Sequence, residues 1–218
     1  KNRLGSKCLI LENAPIINGS LIDAAVNNSK EIIKKENIGR IVFVGYISGI
    51  RGVFKMVDAI YEANKTCNCR LSLIGPFVSE SEYIEASKLP GWKYVDYLGE
   101  LPQDEAFSHM ITSDVGLLLY QNVAGQASAN PNKLFEYQSF GLPFVASNFE
   151  NYKKYQGKTP SGIFVDETNA KDISEAIELL LSDASTRTKY GKAGKDFCSK
   201  YYWEIESEKL RKLYESFD

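Results

Sequence analysis

Two short stretches carry polar residues at spacings that could do chemistry. The first, GYISGIRG at 45–52, sets Gly45, Gly49 and Gly52 around one arginine, Arg51. Glycines let backbone N–H groups approach an anion closely, and a helix N-terminus carries about half a positive charge. A guanidinium adds a planar fork of donors suited to phosphate oxygens. The spacing is neither GxGxxG nor GxxxxGK[ST], so it supports neither a nicotinamide cofactor nor a P-loop. Taken alone, the loop also reads as a plain turn.

The second stretch is SANPNKLFEYQSFGLPFVAS at 128–147. Asn130 reads as an N-cap and Pro131 as the first helical residue, while Gly141 terminates and Pro143 blocks continuation, predicting a helix over 131–140. At ~100° per residue, Leu134 and Phe135 fall on one side, with Asn132, Lys133 and Glu136 centred roughly opposite. One reading is a solvated face with an ordinary Lys133–Glu136 pair, worth a few tenths of a kcal/mol or about that. The other is a nucleotide site, with Lys133 on a phosphate and Glu136 accepting from two ribose hydroxyls; a carboxylate has two oxygens to offer such a diol.

These residues need a frame. Apolar runs recur at 41–44, 71–74, 94–98, 115–119, 143–146 and 163–165, and segments of helical spacing lie between them at 52–65, 79–89, 103–112, 131–140 and 170–182. Strands alternating with helices imply βαβ units and a parallel, doubly wound α/β sheet of Rossmann-like type. After residue 183 the pattern is entirely helical. Ligands of such sheets bind beyond the carboxyl ends of the strands, which directs attention to the residues after 44, 74, 98 and 119.

Composition excludes several other functions. The 218 residues are 44% hydrophobic and 25% charged, ordinary globular usage, and no apolar run approaches the ~20 residues of a membrane helix. With 26 basic against 28 acidic residues, no global field draws the chain to nucleic acid or anionic lipid. The cysteines, Cys8, Cys67, Cys69 and Cys198, include no CxxC pair, and the CxC pair reads as loop thiols of a cytosolic protein. The single histidine, His109, reads as a solvated helix residue and argues against any site needing two.

The motifs, taken in order, resemble the C-terminal, donor-binding Rossmann-like domain of a GT-B glycosyltransferase of glycosyltransferase family 4. The similarity runs from about residue 40 to 217. FVGYISGIRG resembles the family's "VGR-loop-KG" segment and LSLIGPF its second strand end. YLGELPQDEAFSHMITSDVGLLLY resembles the helix and strand that follow, PNKLFEYQSFGLPFVAS the variant "PNKlfEymaaGkPvias", and YYWE the "fsWe" ending.

The resemblance implies a retaining transfer of a sugar from a nucleotide diphosphate donor (UDP-, GDP- or other) to a glycan or lipid-linked acceptor, with no metal and no further cofactor. Glu136 stands at the second glutamate of the family's E-x7-E element, which holds the ribose. Arg51 stands at the lysine of "KG", a diphosphate contact, beside Gly45, Tyr46 and Gly52. Asn130, Asn132 and Lys133 belong to the helix entry that faces the donor. Gly75, Phe77 and Leu101 mark strand ends near the base. Two departures stand out: Ser128 occupies the place of the first glutamate, and Tyr46 that of the arginine of "GR".

A two-domain GT-B enzyme needs about 350 to 400 residues. The chain therefore reads as residues 1–40, a linker and surface segment, followed by a nucleotide-sugar domain at 41–218, without the N-terminal acceptor domain and inactive alone. Two rival readings fit the same residues: an NDP-sugar 2-epimerase, and a non-catalytic nucleotide-binding or interaction domain. The basic stretch RTKYGKAGK at 187–195 reads as a solvated helix face, its other use being a peripheral contact at the inner face of a membrane. Tyr201, Tyr202 and Trp203 read as packing residues.

Overall fold

Runs of Val, Ile, Leu and Phe become strands here because the pleated backbone suits β-branched and aromatic side chains and neighbouring helices cover both faces. The structure, a computed structural model, describes residues 9, 11, 19–30, 32, 37–123, 125–199 and 203–216. Its strands are β1 (Gly39–Val44), β2 (Cys69–Ile74), β3 (Val95–Gly99), β4 (Val115–Leu118), β5 (Phe144–Ser147) and β6 (Gly162–Val165). All pair in parallel, in the order β3-β2-β1-β4-β5-β6. The expected Rossmann-like, doubly wound sheet is therefore present. Its centre is apolar throughout: Ile41, Val42, Leu71, Leu73, Val115, Leu117, Phe144 and Val145 are all fully buried.

The helices are α1 (Gly19–Ser29), α2 (Val53–Ala63), α3 (Glu80–Ser87), α4 (Gln103–Ile111), α5 (Asn132–Phe140), α6 (Glu150–Lys153), α7 (Ala170–Ser182), α8 (Ala184–Cys198) and α9 (Trp203–Glu215). Spacing explains which side each buries. Val53, Met56, Val57, Ile60 and Ala63 form an inward stripe on α2, as do Ile173, Ala176, Ile177 and Leu180 on α7, and the two helices pack together. Side-chain caps start α3, α7 and α8: Ser79 accepts from the Glu82 N–H, Asn169 from Lys171, and Asp183 from Thr186.

Every strand and helix expected from periodicity is found, with ends shifted by two residues at most. Two features here depart from expectation. Helix α1 lies within the stretch read as linker and surface segment; it packs on α4 through the fully buried Ala25 and an Asn28–Asp104 hydrogen bond. Cys69 is no loop thiol, since it opens β2 and is fully buried, while Cys67 remains in the preceding turn. Cys67, Cys69 and Cys198 are free. Cys8, Tyr201 and Tyr202 lie outside the described residues. On α8 the basic stretch does present exposed Lys189, Lys192 and Lys195, while Gly191 and Gly194 face inward. No helix among the described residues is long and apolar enough to cross a membrane.

His109 is half-buried in the last turn of α4, a correction to its solvated reading. Burial and then the nearby Arg40 charge hold its imidazole below the usual histidine range. Unfolding restores the ordinary value, so the unfolded chain binds more protons and stability falls as pH drops below ~6.5. Between pH 7.5 and 5.5 the melting temperature of the native chain is therefore expected to fall more than that of His109→Gln, measured by thermal denaturation. Identical declines in both would remove this role.

Candidate functional site

Chain order reverses between β1 and β4, so the loops after these two strands open away from each other and leave a crevice at their carboxyl ends. The β1–α2 loop forms one wall. Gly45 turns at φ 135° and donates its N–H to the Ile74 carbonyl, while the Ile47 N–H reaches Pro76 and the Val78 N–H returns to Ile47. The loops after β1 and β2 are thus stitched together. Glu82 of α3 adds a further tie, its carboxylate accepting the Gly49 N–H at 2.8 Å. Gly75 permits this approach, because a Cβ there would stand 2.2 Å from the Gly45 carbonyl oxygen.

Helix α5 forms the other wall. It begins one residue later than expected, with Pro131 at the N-cap position and no side-chain cap. Asn130 does not cap it; the Asn130 side-chain oxygen accepts instead from Asn151 of α6, which also holds the carbonyls of Ser128 and Ala129. The polar side of α5 is not solvated. Glu136 is 7% exposed and its carboxylate meets the Lys133 ammonium at 2.5 Å. That removes the reading of Lys133 and Glu136 as an ordinary exposed pair.

The two walls meet over Gly45. A Cβ at Gly45 would lie 3.4 Å from Nη1 of Arg51 and 3.8 Å from Cε of Lys133, so both cations reach over the same bare backbone. Arg51 also stacks near two rings, its Cζ 5.7 Å from the Tyr46 centroid and 5.4 Å from that of Tyr120. Burial raises the Tyr120 phenol, with Arg51 opposing and Glu136 adding, which keeps it protonated beside the cations. Asn132, one turn before Glu136, has a buried Oδ1 with no hydrogen-bond partner among the described residues. Buried acceptors are rarely left so, and an incoming donor would relieve it.

The remaining candidates flank this centre. Gly52 is the αL N-cap of α2, packed against the end of β4. Phe77, beyond β2, joins Tyr83, Trp92 and Tyr97 in an aromatic cluster with centroids 5.3 to 6.3 Å from its ring. Leu101 follows β3 at the sheet edge and packs on the core. Ser128, exposed at the end of a 3-10 turn (Gln126–Ser128), lines a small cleft with Asn122, Asn148 and Asn151. Tyr120, Asn151 and Glu82 were not singled out by sequence. For Tyr120 a signal existed: it directly follows the apolar run that ends the fourth strand.

An uncapped helix start, an arginine and a lysine converging on a glycine backbone suit two linked phosphates, and a buried carboxylate one turn further suits a diol. Residues 26–197 match the family described as Glycosyl transferases group 1. Among curated proteins none matches this sequence significantly. Solved structures similar to the chain include sucrose-phosphate synthase from Thermosynechococcus elongatus (18% identity, TM-score 0.72, covering 94% of this chain and 52% of that one). A glycosyltransferase from Rickettsia africae is similar at 13% identity and TM-score 0.76, with 96% and 57% covered. Anabaena HepE in complex with UDP and glucose is similar at 13% identity and TM-score 0.72, with 95% and 57% covered. The chain thus spans about half the length of these structures.

Proposed function

The chain belongs to the group 1 glycosyl transferases and has the fold of one half of their GT-B architecture, and we propose that it is the donor-binding domain of a retaining, family 4 hexosyltransferase. The observation that carries this reading is the convergence of Arg51, Lys133 and Glu136 at the β1/β4 junction. Arg51 and Lys133 take the diphosphate, assisted by the α5 N-terminus, and Glu136 takes the ribose hydroxyls. Phe77 and Leu101 border the base, and the sugar lies toward Ser128, where amides of Asn122 and Asn148 replace the missing carboxylate.

Catalysis in this reading is electrostatic. As the anomeric bond breaks, negative charge grows on the departing diphosphate, and preorganised cations there lower the barrier because they need no reorientation. Holding the ribose and both phosphates fixes the anomeric carbon for attack. The acceptor, a glycan or a lipid-linked sugar, meets the donor from the other half of the architecture, which these 218 residues do not include. Free thiols at Cys67, Cys69 and Cys198 fit a reducing compartment, and we place the enzyme in the cytoplasm.

A calorimetric panel of UDP, GDP, CMP and their sugars tests this directly. One nucleoside diphosphate is expected to bind the purified 218-residue chain, with no steady sugar transfer to any acceptor. Absence of binding across the whole panel would leave the interaction-domain rival standing, and steady turnover would refute the division of labour between halves.

A further inference from the structure

We infer that Tyr46 and Tyr120 act as an aromatic clamp that positions the Arg51 guanidinium without occupying its hydrogen-bond donors. Among the described residues Arg51 has no ion-pair partner, unlike Arg70, which is held by Asp96, and Arg187, which lies near Asp114. Such a long side chain would ordinarily range over many rotamers. Here two rings stand by it: Tyr120, 7% exposed at the end of β4, and Tyr46, 59% exposed on the β1–α2 loop. The backbone supports the arrangement, since the Arg51 N–H donates to the Ser48 carbonyl and the Gln121 N–H donates to the Ile50 carbonyl, tying the two ring-bearing segments together.

The chemistry of the clamp differs from that of a salt bridge. A carboxylate would fix Arg51 by taking two of its five N–H donors and neutralising its charge. An aromatic face attracts the cation through its quadrupole and leaves the N–H edge and the charge free for an anion. The same rings shield the guanidinium from water, which strengthens its pull on a phosphate. Tyr46 thus has a use where the resembled pattern has an arginine: it holds one guanidinium in place instead of adding a second.

This inference rests on the donor-site reading for its ligand but not for its geometry, and the test separates the two. Tyr46 is the residue to change, because its exposure spares the core. Binding of inorganic pyrophosphate is compared by calorimetry in the native chain, Tyr46→Phe, Tyr46→Leu, Arg51→Ala and the double variant Tyr46→Leu/Arg51→Ala. Tyr46→Leu is expected to weaken binding about two- to fivefold, Tyr46→Phe to retain native affinity, and Tyr46→Leu to add nothing once Arg51 is gone. Equal losses in both backgrounds, or Phe behaving as Leu, would overturn the positioning role. Without any ligand, the Arg51 Nε–Hε resonance is expected to move in Tyr46→Leu, losing the Tyr46 part of its ring-current shift while Tyr120 still contributes, and to stay in place in Tyr46→Phe; an unmoved resonance in Tyr46→Leu overturns the clamp. If the native chain binds no pyrophosphate, the donor-site reading fails while the resonance still decides the clamp.

Discussion

Glu136→Ala is expected to weaken binding of the preferred nucleoside diphosphate by about 1 to 3 kcal/mol, the usual worth of hydrogen bonds to a charged group, or roughly five- to 150-fold in dissociation constant. Two consequences of the substitution have to be separated. The ribose loses its acceptor, and the half-buried Lys133 ammonium loses its partner at 2.5 Å. Only the first depends on the nucleoside. A released Lys133 has all three donors free for phosphate, so inorganic pyrophosphate should bind Glu136→Ala at least as well as it binds the native chain. Glu136→Gln keeps the side chain's shape and one acceptor oxygen and should fall between the two. Calorimetry with UDP, GDP and pyrophosphate on folded protein reads all of this. An unchanged nucleoside diphosphate affinity would sink the ribose role, and parallel losses for pyrophosphate would reassign Glu136 to holding the helix.

How the sequence encodes this site is uneven, and α5 shows why. Strand and helix placement follows from periodicity, and strand-end logic leads directly to Arg51 and to the region of Lys133. Periodicity fails on α5 itself, because Leu134 through Gln138 are all buried. Polar groups survive there only through specific partners: Gln138 donates to the Leu134 and Tyr155 carbonyls and accepts from the Ser161 hydroxyl. No spacing rule separates a polar residue satisfied by such contacts from one facing water, so the burial of Glu136 had to come from tertiary structure. The start of α5 is similar in kind. Asn130 has the composition of a cap, yet Asn151, 21 positions later, takes its side chain. The four-residue α6 that carries Asn151 is too short to leave a periodic signal at all.

Gly52 makes the loop geometry testable. It sits at φ 86° as the N-cap of α2, and a Cβ added there would lie 2.1 Å from the Leu119 carbonyl oxygen. A side chain can be accommodated only if the β1–α2 loop and the end of β4 move apart or the backbone leaves the left-handed region. Either movement breaks contacts nearby: the Met56 N–H donates to the Gly52 carbonyl at 2.9 Å and the Gln121 N–H to the Ile50 carbonyl at 2.8 Å. Left-handed strain of about 1 to 2 kcal/mol and a backbone clash of about 1 to 3 together put Gly52→Ala near 3 kcal/mol destabilised, which for a chain of this length lowers the melting temperature by roughly 6 to 12 °C. Gly99→Ala separates the two contributions, since Gly99 has φ 68° but nothing within 4 Å of an added Cβ. It should show the strain alone and fall by less than half as much. Arg51 is the residue before Gly52 and Tyr120 the residue after Leu119, so the same displacement pulls the arginine from its ring, and Gly52→Ala should lose pyrophosphate binding even at temperatures where it remains folded. A melting temperature within 2 °C or so of native, with binding intact, would mean that the loop yields freely and that the crevice is not built on this close approach.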